Sequence, residues 1–167
     1  ARQGIKNRLT QANHVTFTRS GAVSKRKDVS VFTTSSLGGS VQVTGGMQFR
    51  HSNGNDYNVC GTDDGRLVLL NTDGTTTNLR TGLTTGRRWS FAAYADLLIA
   101  VNGVDSARSY DGTTEAALGG TPPATAQMVA THGNRVFMVP LNTSTLNWCA
   151  LNNPSDWTAA GDAGSLV

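Results

Sequence analysis

The stretch that decides the fold runs from Met47 to Trp157, where a sequence unit of about 40 residues recurs about three times. Three short apolar segments mark the unit, starting 40 and then 38 residues apart: Tyr57-Asn58-Val59-Cys60, Leu97-Leu98-Ile99-Ala100 and Arg135-Val136-Phe137-Met138. The turns repeat as well, because Asp73-Gly74-Thr75 returns 38 residues later as Asp111-Gly112-Thr113. A period of about 40 residues built from short strands and glycine turns is typical of β-propeller blades. We therefore predict an all-β fold, a β-propeller-like array of about three four-stranded blades.

The composition favours strands and tight turns over helices. Charged residues make up only 15% of the 167 residues, and 19 are glycine, which is unfavourable inside helices. No window shows the apolar spacing of an amphipathic helix. No run approaches the roughly 18 apolar residues of a membrane helix, and the basic N-terminus lacks the apolar stretch of a secretory signal. We expect no partner in a membrane.

Charge divides the chain into two parts. Residues 1–27 carry seven basic and no acidic residues, whereas residues 28–167 carry seven basic and eleven acidic residues. We predict a basic N-terminal arm and hairpin over residues 1–40. Its first strand is expected in the segment that starts at His14, where Val15 and Phe17 alternate with polar residues, and its second strand at 29–32. The blade repeats are predicted over residues 41–167, at about 41–80, 89–118 and 126–158. Residues 159–167 are small and indicate a flexible tail.

The predicted array is too short to close alone. A propeller usually has four or more blades, and an open sheet edge promotes aggregation unless it is covered. We therefore expect either an oligomer or a longer parent chain. The first residue is Ala, which indicates loss of an initiator Met, processing, or excision from a longer protein.

Several motifs together resemble phage tail β-propeller proteins, over nearly the whole chain but only over the front half of such proteins. The resemblance rests on these segments: 19–27 (Arg19-Ser20-Gly21 through Lys25-Arg26-Lys27), Gly82-Leu83-Thr84, Trp89-Ser90-Phe91, 97–103, Tyr110-Asp111-Gly112, Gly120-Thr121-Pro122-Pro123, 132–137, Leu146-Asn147-Trp148 and Asn153-Pro154-Ser155-Asp156-Trp157.

The resemblance implies a structural virion protein of the tail nozzle, hub or tail-tube-associated class. Such proteins form rings of copies around the DNA channel and contact neighbouring tail proteins. The expected location is the phage tail of the virion, after assembly in the cytoplasm of the bacterial host, and the expected role is in DNA ejection. We expect no enzymatic activity and no cofactor.

Basic residues are the best candidates for a functional surface, because cations neutralise phosphates and gain from counterion release. The alternatives are contact with an acidic neighbouring subunit and simple exposure to water. The aromatic residues of a base-stacking platform are missing from the arm, where only Phe17 is nearby. The candidates for subunit or DNA contact are Arg2, Lys6, Arg8, Arg19, Lys25, Arg26, Lys27, Arg87 and Arg88.

Catalytic and metal sites find little support in the sequence. The segments 62–65 and 71–74 resemble calcium loops but lack the later bidentate Glu, so hairpin turns are favoured. The three histidines, His14, His51 and His132, have no acid and nucleophile at a helpful spacing, although a Ser-His-Asp triad can assemble in space. Glu115 is the only Glu, which leaves only an Asp–Asp pair for glycosidase chemistry.

The tryptophans and cysteines allow three further kinds of site to be considered: a sugar-binding site, a disulfide and a zinc site. Trp89, Trp148 and Trp157 could stack on sugars, as in a carbohydrate-binding β-propeller module, but they do not recur at one blade position and core or loop packing is favoured. Cys60 and Cys149 are 89 residues apart in apolar segments, which favours small buried hydrophobic residues over a disulfide. With no Cys-x-x-Cys, we expect no zinc site.

Overall fold

A computed structural model describes residues 15–17, 23–25, 33 and 35–167 of the chain. These residues form fourteen β-strands and one short 3-10 turn at Ala159–Gly161, and they contain no α-helix. The predicted all-β class is therefore confirmed. In this described part, no helix has the length and apolar character needed to cross a membrane. The chain divides into two compact units, Ala1–Phe32 and Thr33–Val167.

The first unit contains a two-stranded antiparallel hairpin. Strand β1 (Val15–Phe17) pairs with β2 (Val23–Lys25), so that Val15 lies opposite Lys25. The prediction placed the second hairpin strand at 29–32, but the observed partner of β1 is Val23–Lys25, so this pairing prediction is wrong. Val23-Ser24-Lys25 is nearer to β1 along the chain, and pairing with it closes a shorter loop. Residues 29–32 lie outside the described part of the chain.

The second unit begins with a four-stranded antiparallel meander, the first sheet. Its strands are β3 (Val43–Arg50), β4 (Asp56–Thr62), β5 (Leu67–Leu70) and β6 (Thr76–Arg80). The predicted turns all lie between these strands, where glycines adopt positive φ angles, as Gly74 does at 84°. The first predicted repeat, at about 41–80, is a single sheet as expected.

The second sheet has the same meander topology. Its strands are β7 (Ser90–Tyr94), β8 (Leu97–Val101), β9 (Arg108–Tyr110) and β10 (Glu115–Ala117). The turn between β7 and β8 is only two residues long, and its first residue, Ala95, has a φ of 46°. All four strands lie within the second predicted repeat, at about 89–118.

The third sheet repeats the topology once more but takes its last strand from the tail. Its strands are β11 (Ala126–His132), β12 (Arg135–Pro140), β13 (Leu146–Trp148) and β14 (Gly164–Leu166). The prediction of a flexible tail is wrong for this segment, which pairs antiparallel with β13. The sequence of this segment has no alternation of apolar and polar residues that would predict a strand. Its extended conformation therefore depends on the backbone hydrogen bonds that it makes with β13.

The three sheets stack face to face, with the second sheet in the middle. Successive side chains of a strand point to opposite faces, and β8 uses both. Leu98 packs with Phe49 and Val59 of the first sheet, whereas Ile99 packs with Val136 of the third. Leu98 is 1% exposed and Ile99 is 0% exposed. This burial on both sides is why residues 97–101 read as an uninterrupted apolar run.

Aspartates tie the sheets and their connecting segments together. The carboxylate of Asp63 accepts a hydrogen bond from the backbone of Gln42 at 2.8 Å. In a second contact of this kind, Asp105 accepts hydrogen bonds from the backbone and hydroxyl of Thr84, at 2.8 and 2.9 Å, and from the Asn102 amide at 2.7 Å. Asp63 lies 21 residues after Gln42, and Asp105 lies 21 residues after Thr84. Burial raises the pKa of Asp105, but these hydrogen bonds and the nearby Arg108 charge outweigh it, and the net pKa is lowered.

The lowered pKa of Asp105 predicts an acid-sensitive contribution to stability. Because the folded state holds the carboxylate ionised, this contribution is fully present above the ordinary Asp pKa of about 3.9 and is lost as the pH falls through the lowered pKa. We expect Asp105→Asn to cost about 1.5–3 kcal/mol at neutral pH, as for hydrogen bonds to a charged group. Urea unfolding between neutral pH and pH of about 3 should show the variant and the natural chain converging. A difference that stays constant across this range would contradict the assignment.

Candidate functional site

The predicted basic surface lies mostly outside the described residues. Lys25 is the last residue of β2, and Arg87 and Arg88 are exposed in the segment that leads into β7. The backbone carbonyl of Arg87 accepts a hydrogen bond from the Thr44 hydroxyl at 2.8 Å, so this segment is attached to the first sheet while both guanidinium groups face solvent. Outside the described residues lie Arg2, Lys6, Arg8, Arg19, Arg26 and Lys27. A role for this set in subunit or DNA contact stays a prediction.

The calcium-like segments are hairpin turns, as predicted. Asp73 accepts hydrogen bonds from the backbone and hydroxyl of Thr75, at 2.9 and 2.7 Å, and the hydroxyl bond lowers the pKa of its carboxyl group. Asp64 accepts from Arg66 at 2.8 Å. These carboxylates already have protein donors. Within the described ranges, no three His, Cys, Asp or Glu side chains come close enough to hold a metal ion.

A serine, a histidine and an aspartate do meet where the β3–β4 loop of the first sheet lies against the β7–β8 turn of the second. Asp96 accepts from the backbone and hydroxyl of Ser52, both at 2.7 Å, and the hydroxyl bond lowers the pKa of its carboxyl group. The Nδ1 atom of His51 lies 3.7 Å from Asp96 and accepts a hydrogen bond from the backbone N–H of Asn53 at 3.0 Å.

This arrangement is a structural tie and does not have the geometry of a catalytic triad. In a triad the histidine bonds to the serine hydroxyl and the carboxylate orients the histidine. Here the serine hydroxyl donates straight to Asp96, and no described hydrogen bond joins it to His51. The 44 residues between Ser52 and Asp96 explain why sequence spacing could not reveal the contact. What it does is fasten the β3–β4 loop to the β7–β8 turn.

The tryptophans occupy three different environments. Trp89 is 6% exposed, and a Cβ atom added at Gly61 would lie 2.2 Å from its ring, so this position of β4 has to be glycine. Trp157 packs against the core between the second and third sheets, and its Nε1 donates to the carbonyl of Pro154 at 3.0 Å. The prediction of core or loop packing is confirmed for these two.

Trp148 and Trp157 together line a groove with a volume of about 340 Å³. Pro123 and Thr125 of the connector that follows the second sheet also line this groove, and Asn147 adds a polar group. Paired aromatic rings with adjacent amide and hydroxyl groups are a chemistry that suits a sugar. The sequence did not indicate that these two tryptophans would share one groove.

Both cysteines are buried and free, as expected for small hydrophobic residues. Burial raises the pKa of the Cys60 thiol, and the positive charge of Arg66 opposes this effect. Cys149 lies directly after β13, where its sulfur accepts a hydrogen bond from the backbone N–H of Val136 at 3.1 Å.

The most distinctive surface of the second unit is the outward side of the third sheet, which we call the open face. It consists of side chains that point away from the second sheet: Met128, Ala130, Phe137, Val139, Leu146, Trp148 and Leu166. Met128 is 60% exposed and Leu166 is 65% exposed. The rings of Phe137 and Trp148 lie side by side at its centre, 6.5 Å apart. Exposed apolar patches larger than a few hundred Å² are rare on monomeric proteins, so this face is a candidate interaction surface.

Comparison with known proteins adds no identification: no protein-family model, curated protein or solved structure matches the chain.

Proposed function

We propose that this chain is a structural component of a bacteriophage tail, a subunit of an oligomeric ring around the DNA channel. The observation that carries the proposal is a stack of three repeated four-stranded sheets with an apolar face left open at one end. Repeated sheets that bury their faces only against neighbours need something to cover the last one. The assignment to a bacteriophage tail rests on the sequence motifs that resemble phage tail β-propeller proteins.

The placement of the sheets supports the proposed β-propeller-like arrangement. In a propeller the first strand of each blade lies nearest the axis and next to the first strands of adjacent blades. Strand β7 lies against both β3 and β11, which are the first strands of the flanking sheets. Three sheets make too few blades for a closed circle, and this favours completion by other subunits.

The proposed DNA contact is electrostatic and has no sequence specificity. Arg87 and Arg88 are adjacent, exposed and free to reach phosphates, and residues 1–27 carry seven further cations. Contacts of this kind weaken steeply with salt, which suits a channel through which a genome has to pass. The proposed role is scaffolding and requires no catalysis.

The proposal is tested by the size and shape of the purified protein. We expect light scattering to give a mass of several subunits and electron microscopy of single particles to show rings with a central opening. Antibodies against the chain should label the tail of the virion that carries it. A monomer at all concentrations, or an assembly with no channel, contradicts the proposed ring.

A carbohydrate-binding module is the second candidate, favoured by the groove between Trp148 and Trp157. Under this alternative, a glycan array gives specific binding that Trp148→Ala abolishes. Phe91→Ala is a suitable control, because Phe91 is aromatic, partly exposed and remote from this groove, packing instead against Trp89. If the natural chain binds no glycan on the array, the carbohydrate-binding alternative is ruled out.

A further inference from the structure

The chain contains two Asn-Gly sequences, Asn53-Gly54 and Asn102-Gly103. An asparagine before a glycine can lose its side-chain amide, because the backbone nitrogen of the glycine attacks the side-chain carbonyl carbon and no Cβ atom hinders the approach. The reaction requires the asparagine side chain and the following peptide bond to turn towards each other. Since the two dipeptides are identical, the fold decides whether they differ in reactivity.

Asn53-Gly54 lies at the exposed tip of the hairpin between β3 and β4, where residues 52–55 are all exposed. Gly54 has a φ of 90°, and a Cβ atom added there would meet no heavy atom within 4 Å. The side-chain carbonyl of Asn53 accepts a hydrogen bond from the backbone N–H of Asn55 at 2.9 Å. This bond closes a ring that contains the nitrogen of Gly54, and it polarises the carbonyl group that is attacked.

Asn102-Gly103 is held on every side. Asn102 is 3% exposed, and its side-chain carbonyl accepts hydrogen bonds from the backbone of Val104 and Asp105, at 3.1 and 2.9 Å. Its amide nitrogen donates to the carboxylate of Asp105 at 2.7 Å. The backbone nitrogen of Gly103 donates to the carbonyl of Ala126 at 2.8 Å. The leaving amide and the attacking nitrogen are therefore both engaged with other partners.

One hydrogen bond restrains the attacking nitrogen at the exposed tip as well. The N–H of Gly54 donates to the carbonyl of His51 at 3.0 Å. This bond belongs to a turn in contact with water, and exposed turns open locally at a small cost in free energy. Freeing the reacting groups of Asn102-Gly103 requires more, since a bond to a carboxylate has to break in a buried place.

We propose that Asn53 is a site of spontaneous deamidation and that the fold protects Asn102 from the same reaction. Hydroxide removes the proton of the Gly54 N–H, and the nitrogen forms a bond to the side-chain carbonyl carbon of Asn53. The bond from this carbon to the amide nitrogen breaks, and that nitrogen takes a proton from water and leaves as ammonia. Water then opens the cyclic imide at either carbonyl, which gives aspartate or isoaspartate. This modification goes beyond the proposed ring and does not depend on it.

The modified residue lies at the contact between the first two sheets. Both products carry a negative charge next to Ser52, whose backbone N–H and hydroxyl hold the carboxylate of Asp96. Isoaspartate also adds one atom to the backbone of the turn that the hydrogen bond from His51 N–H to the Asn55 carbonyl closes at 3.0 Å. Deamidation therefore acts on the segment that fastens the β3–β4 loop to the β7–β8 turn.

Peptide mapping by mass spectrometry tests the proposal on the full natural chain, incubated at mildly alkaline pH. We expect Asn53 to convert at least about ten times faster than Asn102, the ratio that corresponds to one hydrogen bond to a charged group. Isoaspartate should form together with aspartate, because the cyclic imide opens at either carbonyl and direct hydrolysis of the amide gives aspartate alone. The same incubation in urea is the control, since unfolding removes the difference in surroundings and should bring the two rates together.

The outcomes decide the proposal as follows. Conversion of Asn53 to both products while Asn102 stays intact, with similar rates in urea, supports it. An Asn53 that stays intact in the folded chain, equal rates at the two sites, or aspartate without isoaspartate overturns it. If Asn102 is as strongly protected in urea as in the folded chain, the protection assigned to the fold is wrong.

Discussion

Replacing Leu98 by alanine should lower the free energy of unfolding by about 2–5 kcal/mol, the range found for truncating a fully buried leucine. Leu98 is 1% exposed and lies where the first two sheets meet, in contact with the cluster that contains Phe49 and Tyr110. Truncation removes three carbon atoms, Cγ and the two Cδ methyl groups, from this interface and leaves a cavity between the two sheets. Urea unfolding followed by tryptophan fluorescence measures the loss, with Trp89 in the adjacent cluster as a reporter.

The matched control for this prediction is Leu151→Ala. The chemical change is the same, but Leu151 is 52% exposed in the loop after β13, so its truncation should alter the free energy of unfolding by only about 0.5 kcal/mol. Equal losses in the two variants would show that the interface between the first two sheets is not closed. A loss confined to Leu98→Ala supports the stacked arrangement.

Neutralising Glu115 should be the most damaging change to a polar residue. Its carboxylate accepts a hydrogen bond from Nε of Arg108, and the two side chains are 5% and 10% exposed. Arg108 lies on the same face of β9 as the buried Tyr110, towards the first sheet. Because Glu115→Gln leaves a buried cation without its partner, we expect a loss of about 3 kcal/mol. A loss of about 3 kcal/mol is the lower end of the range for breaking a buried ion pair. We expect the lower end because the negative charge of Asp105 also stabilises the Arg108 cation.

Two controls separate the ion pair from the general effect of removing a charge. Asp56→Asn breaks an exposed pair with Arg50, where N and O are 4.0 Å apart, and should cost less than about 1 kcal/mol. The double change Arg108→Met with Glu115→Leu replaces both charges by apolar groups and should recover most of the stability lost in Glu115→Gln. Thermal unfolding of the four proteins provides the comparison. A Glu115→Gln protein as stable as Asp56→Asn would contradict the role assigned to the buried pair.

The strands were predictable wherever the local sequence carries its own signal. Residues 97–101 are apolar without a break and are flanked by Ala95-Asp96 and Asn102-Gly103, so β8 could be recognised as a short apolar strand. Strand β14 could not, because Gly164-Ser165-Leu166 has no such pattern and is extended only through its pairing with β13. The hairpin of the first unit was misplaced for a related reason: two segments could serve as its second strand, and pairing decided between them.

The contacts between sheets were beyond the reach of sequence patterns. The Ser52–Asp96 tie joins residues 44 positions apart, and the shared groove of Trp148 and Trp157 depends on how the third sheet meets the connector before it. Glu115 was noted as the single glutamate, but its burial against Arg108 follows from the pairing of β9 with β10. Each of these features requires two segments to be positioned independently and then brought together.

The sequence by itself determined the repeat, the turns and the all-β class, because short apolar segments and glycine turns act over a few residues. Only the tertiary structure decided which faces are covered. Ile99 and Phe137 hold equivalent places in two sheets, yet Ile99 is 0% exposed and Phe137 stays partly open. The exposure of these two side chains differs because a further sheet packs against Ile99 and none packs against Phe137 among the described residues. The local sequence pattern does not show whether a further sheet is present.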